Sequence, residues 1–384
     1  MPTKHGNVLS WATDIDEGTI EQAQRAASLP FIEGHVALMP DAHIGFGATI
    51  GSVIPTRGAI IPSAVGVDIG CGMIAVETPF TSDALPDSLG PLHGQVSKAV
   101  PAGVGKGHEN GHVAFEDLYA VAPEAMTDKM MATAAKQMGS LGSGNHFVEV
   151  CLDERDHVWI VLHSGSRGIG NTLAREHIDK AKGLMKRYFI DLPDPDLAYL
   201  VEGTPEFDAY ITAMLWSQDY ALRNRDVMMD AVLAEVAAFI GHEFEEIQRI
   251  NCHHNFTEQE NHRGKNVWVT RKGAIRARES DRGVIPGSMG TRSYIVTGLG
   301  SDAAYHSCSH GAGRRLSRSA ARKTLDVEGL REQMDGKVWN DRDAEALLDE
   351  DPRSYKDIDA VMADQADLVR IDHTLSQILN YKGL

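Results

Sequence analysis

Apolar residues in this chain come mostly in short bursts rather than in one sustained period. Ala48–Ile54 and Met73–Glu77 mix apolar with small residues and are bounded by Gly and Pro, a pattern that predicts strands bracketing loops. Val158–Leu162 is an unbroken apolar run that predicts a buried strand feeding directly into His163. Two stretches, residues 170–190 and 205–250, instead place apolar positions such as Ala209, Ala213, Trp216 and Tyr220 at three- and four-residue steps. That spacing predicts helices, read as scaffold between loops. A short helix is predicted over 18–28, strands over Val267–Thr270 and Ser293–Val296, and further helices over 314–335 and 357–379. Asp191–Asp196, dense in Pro and Asp, reads as an exposed turn. No internal repeat or low-complexity tract interrupts the pattern.

Composition narrows the class. A chain of 384 residues that is 42% hydrophobic can bury one large core or two ordinary ones. No stretch reaches the roughly 20 apolar residues of a membrane helix, and Met1–His5 lacks the apolar run of a signal peptide. Four cysteines are too few for a disulfide scaffold; two lie close to Asp or His, which reads as free thiols in a reducing cytoplasm. A net charge of −17 argues against coating nucleic acid through the overall field. Two basic segments stand out against it, Arg263 to Arg282 and Arg314 to Lys323, as phosphate contacts or as solvated charged faces.

The chemistry is concentrated in five glycine-rich knots: Val67–Gly72, Gly144–Phe147, His163–Gly168, Asn251–Asn255 and Ser309–Arg314. Each ends or begins an apolar run, as expected of one site assembled from distant loops. Cys71, His146, His163 and His254 are soft or borderline donors and Asp68 is a hard one, so the set suits one metal or a pair bridged by the thiolate. Ligand type alone favours Zn, with Mn, Fe or Co allowed. His163–Gly170 follows a strand and precedes a helix, where backbone N–H groups and Arg167 suit a phosphate oxyanion. His310, among Ser307, Ser309, Gly311 and Gly313, is open to two roles, metal ligand or nucleophile toward phosphorus.

These segments, together with Met39–Gly45 and Gly287–Gly290, resemble the RtcB family of RNA ligases, in the family's order from about residue 35 to Tyr381-Lys382-Gly383. The resemblance implies an α+β fold of mixed sheets with surrounding helices. It implies a single domain over residues 1–384, with the helical segment at about 170–250 inside it and the active site built from loops. It further implies a GTP- and manganese-dependent enzyme joining RNA 3′-phosphate or 2′,3′-cyclic phosphate ends to 5′-hydroxyl ends, in tRNA splicing or RNA repair. In that scheme His310 becomes guanylylated, the GMP passes to the RNA 3′-phosphate, and the 5′-hydroxyl displaces it. Two Mn2+ ions are implied on Asp68, Cys71, His146, His163 and His254, with His254 chosen over His253 and the cysteine sulfur shared. Guanylate contacts are implied for Asn145, Glu149, Ser288, Tyr355 and Lys382, and RNA phosphate contacts for Arg167 and Arg318. The implied partners are such RNA ends and an archease-type activator, with no membrane. Phe46 and Ser143 depart from residues common in the family at their positions. Two other readings compete: a metal phosphoesterase that opens cyclic phosphates without ligating, and a non-catalytic RNA-binding module. His310, Asn145 and Lys382 together argue against the first, and a complete donor set argues against the second.

Overall fold

In the computed structural model, which describes residues 1–383, seven antiparallel strands form one sheet. Their order is Gln248–His253, Gly72–Thr81, His157–Ser164, Phe147–Leu152, Val369–Lys382, Ser293–Gly298 and Arg282–Ile285. Its central strands are apolar on both faces because both are covered. Ile74, Val76, Ile160 and Leu162 meet Leu92 and Val96 of helix Gly90–Ala99 and Met228, Met229 and Val232 of helix Pro205–Ile240. Met73, Ala75, Trp159 and Val161 face the other way, against Ile250, Val284, Ile295 and Leu375. This is the two-residue alternation of a pleated strand, hidden in the sequence because neither face is polar.

A second, six-stranded sheet runs in the order Thr3–His5, Val8–Ser10, Val36–His43, Ile50–Thr56, Lys265–Lys272 and Asn255–His262. It is mixed, with Val8–Ser10 and Val36–His43 parallel. Its core joins Met39, Val53, Val267 and Val269 to Cys308, Tyr305, Ile358 and Leu368. The architecture is α+β, with helices packed around two principal sheets. Among the described residues no helix is long and apolar enough to cross a membrane.

Several elements differ from their predicted spans. The helix expected to reach residue 250 stops at Ile240, where Gly241 adopts φ 84° and its N–H bonds to Ala237 O, a left-handed helix cap; the chain then re-enters the first sheet at Gln248. The helix expected over 314–335 is two helices, Arg318–Thr324 and Val327–Gln333, because Asp326 caps the second by accepting the Gly329 N–H. The helix expected over 357–379 is correct only for Ile358–Asp364; the rest is the 14-residue strand Val369–Lys382.

Candidate active site

The seven-stranded sheet gathers the site at one of its ends. Gly72 pairs with Ser164 and with His253, Phe147 with His163, and Lys382 with Phe147. Antiparallel neighbours alternate direction, so this shared end holds the starts of two strands and the finishes of three. Cys71, His146, His163, His254 and Lys382 therefore meet although up to 311 residues separate Cys71 from Lys382 (382 − 71). Close approach needs glycine at Gly165, where a Cβ would collide with the Asp68 carboxylate.

Cys71 Sγ lies 3.5 Å from His146 Nε2 and 3.2 Å from His163 Nε2. His163 Nε2 is in turn 3.3 Å from His254 Nε2, and Asp68 Oδ2 is 3.2 Å from His146 Nε2. The other nitrogens of two of these rings are engaged from behind: His146 Nδ1 contacts Leu141 O at 2.9 Å and His163 Nδ1 contacts Asn145 O at 3.1 Å. A carbonyl accepts only, so Nδ1 carries the proton and each Nε2 lone pair points into the cluster. Burial holds His163 and His254 well below the usual imidazole range and pushes the Cys71 thiol up. Two imidazole lone pairs, a sulfur and a carboxylate oxygen thus converge on one buried spot, an arrangement that a cation between them would stabilise. Asp68, Cys71, His146, His163 and His254 fit one or two metal ions on that ground, and a cation would reverse the rise at Cys71. His253 points elsewhere: its Nδ1 is 2.8 Å from Gly70 O and 3.1 Å from Arg225 Nη2.

His310 follows the short strand Ser307–Ser309, which pairs with Ala274–Arg276. Its ring is 4.9 Å from that of His254. Its Nδ1 is 2.6 Å from Asp41 Oδ2, and the same oxygen accepts the backbone N–H groups of His310 and Gly311. Asp41 comes from strand Val36–His43 and has no exposed surface. Burial alone would push its carboxyl up, but His310, then His43 and Lys356, outweigh it and hold Asp41 below the usual carboxylate range. An ionised Asp41 keeps the proton on Nδ1 and the lone pair on Nε2.

A cavity of about 240 Å³ opens beside His310, lined by Asn145, Glu149, Ser288, Arg314, Tyr355 and Lys382 among others. Glu149 is buried; Asn380 donates to its Oε1 at 2.8 Å, while Oε2 has no partner. Burial, only partly offset by Lys382, pushes Glu149 up to about 8. On the opposite wall Glu350 ties four groups together: Lys382 Nζ at 3.0 Å, the Tyr355 hydroxyl at 2.8 Å, and Arg314 and Arg318 at 3.4 Å each. Arg167, with φ 60°, lies over Gly142, where no side chain would fit beside its guanidinium.

Three contributors have no role in the sequence reading. Asp41 lies within Met39–Gly45, and its pairing with His310, 269 residues away, becomes visible only in three dimensions. Arg225 looks like one more polar position on a scaffold helix. Its fully buried guanidinium donates to Gly70 O, Ser164 O and Asn251 Oδ1 and so fastens three site loops to that helix. Glu350 lies in the acidic run Asp349-Glu350-Asp351, yet it is 3% exposed. The first basic segment is largely spoken for: Arg271, Arg276, Arg278 and Arg282 pair with Glu260, Glu258, Asp281 and Asp372. Lys272 is buried against the Phe46 and Ser63 carbonyls.

Comparison with known proteins gives a consistent result. The family model described as tRNA-splicing ligase RtcB matches residues 22–383. RNA-splicing ligase RtcB of Escherichia coli (strain K12) is 44% identical over 405 aligned positions, covering 100% of this chain and 99% of the relative. tRNA-splicing ligase RtcB of Nanoarchaeum equitans is 29% identical, covering 94% of this chain and 88% of the relative. RNA-splicing ligase RtcB of Mycobacterium tuberculosis is 29% identical, with 89% and 94% covered.

Proposed function

The chain belongs to the RtcB family, and from that premise we propose that it is an RNA ligase acting in tRNA splicing or RNA repair. It joins a 3′-phosphate or 2′,3′-cyclic phosphate end to a 5′-hydroxyl end, using GTP and two Mn2+ ions. The observation that carries this reading is the placement of His310, backed by Asp41, against His254 of a Cys/His cluster whose lone pairs converge. Asp68, Cys71, His146, His163 and His254 would hold the ions, which when bound supply positive charge that offsets the charge of the reacting phosphates.

His310 Nε2 attacks the α-phosphorus of GTP; a P–N bond forms, the bond to the bridging oxygen of the β-phosphate breaks, and pyrophosphate leaves. Asp41 keeps the proton on Nδ1 and stabilises the charge that develops on the ring. An oxygen of the RNA 3′-phosphate then takes the GMP, breaking the P–N bond and restoring His310. The 5′-hydroxyl attacks the activated 3′-phosphorus, and GMP departs as a leaving group that a bare phosphate lacks. Cyclic ends are first hydrolysed to the 3′-phosphate in the same site. Glu149 supports the choice of base: its partnerless oxygen lies on the cavity wall, and guanine N–H donors would favour its ionised form, which accepts from them. Lys382, Tyr355, Ser288 and Asn145 frame the nucleotide, and Arg167 and Arg318 take RNA phosphates.

The test is ligation of an RNA bearing a cyclic phosphate and a 5′-hydroxyl, with GTP and Mn2+ omitted in turn. Product should require both. Cys71→Ala should abolish ligation and opening of the cyclic end alike, since the variant lacks the thiolate that would help hold the ions. Full activity of that variant would refute the place of Cys71 among the metal ligands, and GTP-independent joining would refute the nucleotide's role.

A further inference from the structure

A second donor cluster lies away from the site, beyond the far end of the hairpin formed by Asn255–His262 and Lys265–Lys272. Glu260, His262 and His306 each offer a ligand atom, and the three atoms lie within 4.8 Å of one another. His262 Nε2 is 3.0 Å from Glu260 Oε2, and the two imidazole rings are 4.9 Å apart. The other carboxylate oxygen, Oε1, is held at 2.6 Å by Arg271, whose remaining N–H groups donate to Tyr305 O and Ser307 Oγ. A ligating carboxylate is characteristically anchored from behind in this way. His306 is delivered by backbone in the left-handed region at both Tyr305 (φ 50°) and His306 (φ 51°). Two consecutive bulky residues there are a strained arrangement of the kind that gathers at functional sites. Asp302, exposed and 2.9 Å from His306 Nε2, offers a further oxygen.

We propose that Glu260, His262 and His306 bind one divalent transition-metal ion of the Zn2+ class. Two imidazoles with carboxylate oxygens favour such an ion over Mg2+ or Ca2+. Glu260 Oε2 also faces the half-exposed Arg278 at 3.3 Å, a contact the ion has to displace. The bound ion ties the hairpin to the loop that leads into Ser307–Ser309 and His310. This site does not depend on the ligase reading.

Metal-free wild type, the double variant His262→Gln/His306→Gln, and Cys71→Ala are each equilibrated with Zn2+, desalted, and assayed for zinc per chain by mass spectrometry. The double variant should hold one zinc fewer than wild type, and Cys71→Ala should keep that zinc. Equal zinc in the double variant and wild type, or no zinc in Cys71→Ala, overturns the proposal. Should the double variant fail to fold, His306→Gln alone in the Cys71→Ala background is titrated with Zn2+ against a chromophoric chelator. A Kd at least about tenfold weaker is expected, and an unchanged Kd overturns the site.

Discussion

An imidazole attacks phosphorus only through a nitrogen that bears a lone pair, and at His310 a single carboxylate decides which nitrogen that is. Asp41 Oδ2 sits 2.6 Å from Nδ1 and accepts two backbone N–H groups as well. Asp41→Asn preserves the shape and removes the charge. Single-turnover guanylylation should slow by about 10²- to 10⁴-fold with metal content unchanged, and rates within threefold of wild type would count against the pairing. Glu149 gives a second test through stability. Burial lifts it from the ordinary carboxyl value of 4.5 to about 8, so between those limits the folded chain holds a proton that the unfolded chain releases. Stability of the metal-free protein should therefore fall as pH rises through that window, by at most about 1.4 kcal/mol per pH unit from this group. Glu149→Gln should flatten the trend in urea melts at pH 5.5 and 8; an unaltered slope would mean the carboxyl is not titrating there.

Among the elements, the strands and their glycine-rich exits were legible from short apolar runs, and so were the donors at their ends. The terminal strand was not, for a definite reason. Leu368, Ile371, Leu375, Ile378 and Leu379 fall at helical spacing; in the strand Ile371 stays exposed, and the register shift between Gln377 and Leu379 lets Leu375 and Leu379 join different core clusters. That strand delivers Lys382 and Asn380 to the site. The role of helix Pro205–Ile240 was hidden too, since nothing in a 36-residue helix marks Arg225 as buried. Arg225→Met keeps the volume but strands the acceptors on Gly70, Ser164 and Asn251. It should cost on the order of 3 kcal/mol or more in urea unfolding and weaken metal retention. A loss below about 1 kcal/mol would show that the loops hold themselves.

For the whole molecule, the acidic body and the paired basic segments limit how RNA is held. Arg276, Arg278 and Arg282 face Asp281, Glu258 and Asp372 rather than the cavity, whose only lining arginines among the described residues are Arg314 and Arg318. Two contacts, through Arg167 and Arg318, correspond to a slope of log K against log salt of roughly −1.4 for single strands. Arg318→Ala should reduce its magnitude by about 0.7, and a slope steeper than about −4 would point to a basic track elsewhere. The chemistry itself is tested most directly by incubating the metal-loaded protein with α-labelled GTP and resolving it under denaturing conditions. An acid-labile, alkali-stable label should stay on the chain and be absent from His310→Ala of equal metal content. An unlabelled wild type with its metal bound would contradict the histidine–GMP step and leave a phosphoesterase as the better description; a label that persisted in His310→Ala would place the nucleophile elsewhere.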